Sequence, residues 1–152
     1  MHDSALDPSS VLLFFHSLLR WGVLVLVAVA GFAALAGWLR KGPVFNWQRS
    51  AAIWAMLLCH LQLVLGAVLY FMRFKAFKRM GPEHERYWQY EHLGLMLLAI
   101  ALVTAGRLAS KKAKTEQGKH LRVALFYLLA LALLVATIPW PNTVVGEGRG
   151  WL

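Results

Sequence analysis

The sequence predicts an all-α fold: one integral membrane domain, residues 1–152, built as a four-helix up-down bundle. Hydrophobic residues make up 59% of the chain, charged residues 15%, and the mean hydropathy is +0.55. Soluble domains are roughly 45–50% apolar and 25% charged. The chain also contains four apolar runs, each near the length of about 20 residues that a bilayer crossing requires. Because lipid offers no hydrogen bonds to the backbone, such runs form helices.

Residues that start or stop helices border the apolar runs. Asp7-Pro8-Ser9-Ser10 offers capping oxygens before the first run. Met80-Gly81-Pro82 breaks the chain after the second run, and the polar stretch SKKAKTEQGK follows the third. Pro139-Trp140-Pro141 cannot continue the fourth helix. The predicted spans cover about residues 11–39, 51–72, 87–108 and 121–138.

The basic residues predict an orientation. The first and third loops hold Arg40, Lys41, Arg49, Arg107, Lys111, Lys112, Lys114, Lys119 and Arg122. The second loop and the tail hold fewer: Arg73, Lys75, Lys78, Arg79, Arg86 and Arg149. By the positive-inside rule, loops one and three are cytoplasmic, and both termini are periplasmic at a bacterial inner membrane. Since these residues flank apolar runs and form no patch interleaved with exposed aromatics, we expect the lipid bilayer, and no nucleic acid, as a partner.

Five charged or histidine residues lie inside the predicted spans and away from their ends. They are His16 and Arg20 in the first, His60 in the second, and Glu91 and His92 in the third. Such residues are costly in lipid and mark functional sites by default. A single membrane histidine is more often a packing residue, but three of them on three spans favour a bound cofactor.

His16 and His92 lie at the same predicted depth. Each is roughly 8 Å below the outer start of its span, at 1.5 Å per residue. In an up-down bundle the first and third spans are diagonal neighbours, so the two imidazoles can face each other across the core. This is the arrangement of two axial ligands of a b-type haem. Arg20, one turn below His16, would pair with a haem propionate, or with Glu91 if no cofactor is bound.

The remaining candidates are less well defined. His60 lies deeper, roughly 18 Å from the outer end of its span, and no other histidine shares its level. We expect His60 and Gln62 to contact a second cofactor or a quinone. Met96 is a candidate thioether ligand, although a Met at that spacing is more often core filler. The predicted cofactor-binding residues are thus His16, His92, His60, Arg20, Gln62 and Glu91, with the three histidines as metal ligands.

Four sequence blocks carry a resemblance. HSLLRW at 16–21, HLQLVLGAVLYF at 60–71, EHLGLMLLAI at 91–100 and IPWP at 138–141 resemble a family of small four-span bacterial membrane proteins. The resemblance implies that the six candidate residues are family features of one site, and it implies no activity. The chain is also similar in design to four-helix b-type cytochromes such as the cytochrome b561 class. Those proteins usually carry two histidine pairs, whereas this sequence supplies one level pair.

Three hypotheses about function follow from the sequence. The first is a b-type haem protein in electron transfer, with a quinone as exchange partner. The second is a non-catalytic subunit of a respiratory or photosynthetic complex, with other membrane subunits or further copies of itself as partners. Its support is the aromatic, Gly-rich tail 142–152, which suits docking. The third is a proton or small-solute conduit that uses His60 and Glu91 as relay groups.

Overall fold

The computed structural model describes residues 7–147, and every regular element in that range is helical. Helix α1 covers Pro8–Leu39, and α2 covers Asn46–Phe77. A third long segment, Pro82–Lys111, consists of α3 (Pro82–Arg86), a π-helical turn (Tyr87–Glu91) and α4 (His92–Lys111), and α5 (Glu116–Thr137) follows it. The four long helical segments of the described range are long and apolar enough to cross a membrane.

Local capping explains where these helices begin. Asp7 caps α1 as predicted, because its side chain accepts from the backbone amide of Ser9 at 3.3 Å and Pro8 occupies the first turn. Hydrogen bonds from Ser9 also hold the pKa of the Asp7 carboxyl below its usual value. Thr115 caps α5 by accepting from the amide of Gly118 at 3.0 Å.

The helices are longer than the apolar runs that predicted them. Helix α2 starts at Asn46, where the sequence predicted a start near 51, and ends at Phe77, where it predicted an end near 72. Polar residues at these ends continue the helix because they can reach water while their backbone groups stay paired. Of the polar stretch SKKAKTEQGK, only residues 112–115 lie in the loop between α4 and α5. Helix α5 starts at Glu116 because Thr115 caps it.

Contacts between neighbouring helices show the up-down topology. Gln62 of α2 reaches the carbonyl of His16 in α1, and Tyr70 of α2 reaches that of Gln89. Tyr87 contacts the carbonyl of Thr137 at the end of α5. Helix α1 packs against α2 and α5, and α4 packs against α5, whereas α2 and α4 touch over a smaller region. The first and third segments are therefore diagonal, as predicted.

Small buried residues form the core in the half of the bundle near the first and third loops. Val27, Ala55, Val103 and Ala130 have almost no exposed surface there. Tyr127 is also fully buried, and its hydroxyl donates to the carbonyl of Ala52 at 2.7 Å. Large apolar side chains cover much of the outer surface, as expected of helices that could cross a membrane. Of the tail proposed for docking, residues 148–152 lie outside the described range.

Candidate cofactor site

A cavity of about 620 Å³ lies in the half of the bundle that holds both described ends of the chain. Residues from all four long segments line it, and α2 and the third segment leave space for it because they contact each other least. Its volume is in the usual range for small-molecule and cofactor sites, roughly 300–1,000 Å³. Four of the six predicted site residues line this cavity: His16, Arg20, Gln62 and His92.

His16 packs against a glycine of the neighbouring helix. A Cβ atom at Gly66 would lie 3.0 Å from Cε1 of the imidazole, so the missing side chain of Gly66 makes room for the ring. Nδ1 of His16 is buried and has no hydrogen-bond partner within residues 7–147. Most buried polar atoms in native proteins are paired, so this nitrogen needs a further partner.

Gln62 connects α2 to the backbone beside that histidine. Its Nε2 donates to the carbonyl oxygen of His16 at 2.9 Å. This bond fixes the amide, and its Oε1 is buried with no donor in the described part of the chain. The cavity wall therefore presents an imidazole nitrogen and an amide oxygen, both of which have remaining hydrogen-bonding capacity.

His92 is held by a tyrosine that the sequence analysis did not select. The Tyr87 hydroxyl donates to the carbonyl of Thr137, which can only accept. The same hydroxyl lies 3.3 Å from Nδ1 of His92, so the single hydroxyl hydrogen is already used and Nδ1–H must donate to the Tyr87 oxygen. In the neutral imidazole, Nε2 of His92 is then the ring nitrogen that carries the lone pair. This is the tautomer expected of a histidine that ligates a metal through Nε2.

The π-helical turn is what brings Tyr87 and His92 together. The backbone N–H of His92 donates to the carbonyl of Tyr87, five residues earlier. On an α-helix, residues five apart point about 140° away from each other. The wider turn lets the Tyr87 hydroxyl lie 3.3 Å from Nδ1 of His92, and π-helical turns occur frequently at functional sites. Only a sequence method that anticipated this turn would have found Tyr87.

Aromatic rings and basic side chains complete the wall. Trp88 stacks on Phe77 with ring centroids 6.0 Å apart and lies 5.3 Å from the His92 ring. Arg20 lines the cavity one turn from His16, with its guanidinium carbon 5.4 Å from the centroid of Trp21. Arg73, which was not predicted, also lines the cavity and donates to the hydroxyl of Ser9 at 3.2 Å.

His60 lies outside this cavity, on the exposed surface where α2 meets α4. Its Nδ1 donates to the carbonyl of Met56 at 2.8 Å, and its Nε2 is 3.5 Å from Oγ1 of Thr104. The Thr104 hydroxyl donates to the carbonyl of Ile100 and has no second hydrogen for the imidazole. His60 and Gln62, which we expected to share a site, therefore face in different directions.

Glu91 also lies apart from the cavity. Its carboxylate forms an ion pair with Arg86 at 2.7 Å, and the Glu91 side chain is 43% exposed. The expected alternative, a pair between Glu91 and Arg20, is not the arrangement in the structure. Met96 lines the cavity and packs on the apolar core.

Two histidines can hold a metal only with help from other ligands. Residues 7–147 contain no group of three or more His, Cys, Asp or Glu side chains placed to hold a metal ion. A haem macrocycle supplies four nitrogen ligands of its own, and one or two axial histidines complete the set. Comparisons with protein-family models, curated proteins and solved structures find no match to this chain.

Proposed function

We propose that this chain is a b-type haem protein of the bacterial inner membrane that takes part in electron transfer. In this proposal the four helices cross the bilayer, both termini are periplasmic, and His16 and His92 are the axial ligands. The chain would belong to the small four-span family whose sequence blocks it resembles. The observation that carries the proposal is the lining of one apolar cavity by two histidines from diagonally opposed helices.

The residues present fit a haem. His16 has a buried nitrogen with unused hydrogen-bonding capacity, and His92 is held in the tautomer with its lone pair on Nε2. Apolar side chains such as Leu24, Ile100 and Leu134 make up most of the remaining wall and would exclude water. Arg20 and Arg73 supply positive charge for two propionates.

A bound haem would supply one-electron redox chemistry, and the protein residues would tune and position it. His16 and His92 would ligate the iron, Tyr87 would orient His92, and the apolar wall would set a low dielectric. The buried Gln62 Oε1 is an acceptor for the hydroxyl of a quinol, which is the exchange partner that we propose.

The test is a reduced-minus-oxidised visible spectrum of the purified protein expressed with haem supply, with pyridine haemochrome quantification. We expect a haem b signal that is lost in His16→Ala and in His92→Ala. His84→Ala is the matched control, because His84 lies on α3 away from the cavity lining. Absence of a chromophore, or full haem retention in both ligand variants, would refute the proposal.

A second candidate function is that of a subunit in a larger membrane complex. His60 favours a role as a subunit, because it is exposed halfway along α2 and polar side chains within a bilayer generally face protein or water. Mild-detergent purification followed by native mass spectrometry tests this proposal. Co-purifying subunits or a homo-oligomer that His60→Leu dissociates would support it, and a monomer in every detergent would count against it.

The positions of His60 and Glu91 do not support the hypothesis of a proton or small-solute conduit. His60 is level with Thr104, and Glu91 precedes Thr104 by 13 residues on the same segment. At 1.5 Å per residue the two relay candidates are about 20 Å apart along the bundle axis. We therefore rank this function third.

A further inference from the structure

A second cavity, of about 250 Å³, lies at the opposite end of the bundle, beside the first and third loops. Its wall combines small apolar residues of α1, the start of α2, the end of α4 and the start of α5. Four basic side chains line it: Arg49, Arg107, Lys111 and Lys119. They come from three helices, and the fold places Arg49 of α2 beside Arg107 and Lys111 of α4 and Lys119 of α5.

Most of this positive charge is uncompensated. Lys119 pairs with Glu116. Arg49, Arg107 and Lys111 form no ion pair within residues 7–147. Glu116 is the one described acidic residue at this end of the molecule, where nine Lys and Arg residues lie. Such a concentration of one sign of charge in a concave site attracts anions.

The neutral polar groups of this cavity, in contrast, already have protein partners. Gln48 accepts from the amide of Phe45 and donates to the carbonyl of Ala33. Ser110 donates to the carbonyl of Lys119 at 3.1 Å. The buried ring of His120 is 3.3 Å from the carbonyl oxygen of Pro43 and packs against Gly37. The neutral polar groups of the wall therefore have protein partners, and what the wall lacks is negative charge.

We propose that this cavity binds a phosphate group. Two guanidinium groups and one ammonium group are the side chains that recognise a tetrahedral anion through charge-assisted hydrogen bonds. The volume equals that of about eight waters, which accommodates a phosphate and part of an ester substituent. The phosphate comes from an anionic lipid headgroup or from free phosphate, and basic pockets at helix ends are known for the former.

The proposal is tested on the detergent-purified full chain by its thermal unfolding midpoint. One arm titrates inorganic phosphate against chloride at constant ionic strength, and the other titrates phosphatidylglycerol against phosphatidylcholine in mixed micelles. We expect saturable stabilisation, which yields an apparent Kd. A response to lipid alone assigns the site to a headgroup, and a response to inorganic phosphate assigns it to the free anion.

Charge variants connect the response to the cavity. Arg107→Gln should raise the apparent Kd about tenfold, the effect of losing one charge-assisted bond. Arg49→Gln tests the same site from another helix and serves if Arg107→Gln does not fold. Lys112→Gln is the matched control. It also removes one positive charge from this end of the molecule, but Lys112 does not line the cavity. An equal loss in Lys112→Gln, equal stabilisation by phosphatidylcholine, or no saturable response to either probe would overturn the proposal.

Discussion

At the scale of single residues, the hydrogen bonds of Tyr87 decide the state of His92. The carbonyl of Thr137 is at the C-terminal end of α5, where helical partners are missing. Tyr87 satisfies that carbonyl and accepts from Nδ1–H of His92 with the same oxygen. Two helices and one imidazole are thus connected through a single hydroxyl group.

Tyr87→Phe removes this hydroxyl and should change the electronic properties of His92 as the proposed haem ligand. The hydrogen bond from Nδ1–H makes the imidazole a stronger electron donor, so its loss should raise the haem midpoint potential. A bond worth about 1 kcal/mol corresponds to a shift on the order of 40 mV for one electron. Redox titration checks this prediction.

Tyr90→Phe is the control for that experiment, because the Tyr90 side chain is exposed and does not line the cavity. We expect its potential to equal that of the unaltered protein. A potential in Tyr87→Phe that is unchanged or lower would contradict the assigned role of Tyr87.

Gly66→Ala should move His16. The new Cβ would lie 3.0 Å from Cε1 of the ring, which must shift by a few tenths of an ångström. We expect haem affinity to fall about tenfold, because the displaced ring leaves the position from which it would bind the iron. Haem titration of the apoprotein measures this affinity.

The matched control is Gly94→Ala, since a Cβ at Gly94 would meet no atom within 4 Å. This variant should keep full affinity. Equal affinities in Gly66→Ala and Gly94→Ala would show that His16 does not ligate from this position.

At the scale of helices, glycines set how closely α1 approaches its neighbours. The imidazole of His120 in α5 occupies the space that a Cβ at Gly37 would need. Gly31 of α1 likewise faces Leu128, with its Cβ position 2.9 Å from the Leu128 side chain. These contacts explain why α1 and α5 pack tightly towards the end of the bundle beside the first and third loops. Helices α2 and α4, in contrast, leave space for the larger cavity.

Gly37→Ala should therefore destabilise the bundle. The new Cβ would overlap the buried ring of His120, which would have to leave its place 3.3 Å from the Pro43 carbonyl oxygen, so we expect a loss of about 1–3 kcal/mol in the free energy of unfolding. Thermal or denaturant unfolding in detergent measures it. Gly22→Ala on the same helix is the control, because its Cβ would meet Leu58 at an ordinary 3.7 Å. Equal stability of the two variants would contradict this account of the packing.

At the scale of the whole molecule, the unequal distribution of charge between the two ends predicts its orientation. Nine basic residues accompany the first and third loops, and fewer accompany the other end. We expect a Lys78→Cys variant to react with a membrane-impermeant thiol reagent in intact spheroplasts, and Lys112→Cys to react only after lysis. The native Cys59 is buried and should not react. The reverse pattern would place the termini in the cytoplasm.

Sequence reasoning placed His16, Arg20, Gln62 and His92 among the candidates, because their polarity is unusual within apolar runs and because depth follows from residue count. It grouped His60 and Glu91 with them for the same reason. Neither lies at the cavity, since helix rotation and side-chain direction depend on how neighbouring helices pack.

The sequence by itself determined that this is a bundle of four long helical segments apolar enough for a bilayer, with His16 and His92 on diagonal segments. Hydrophobic run length and helical rise are local properties, which is why they can be counted along the chain. Only the tertiary structure decided that Tyr87 supports His92, that His60 faces outward, and that Arg49, Arg107 and Lys111 line one cavity. Those relations depend on a π-helical turn and on contacts between residues distant in sequence, which no periodicity encodes.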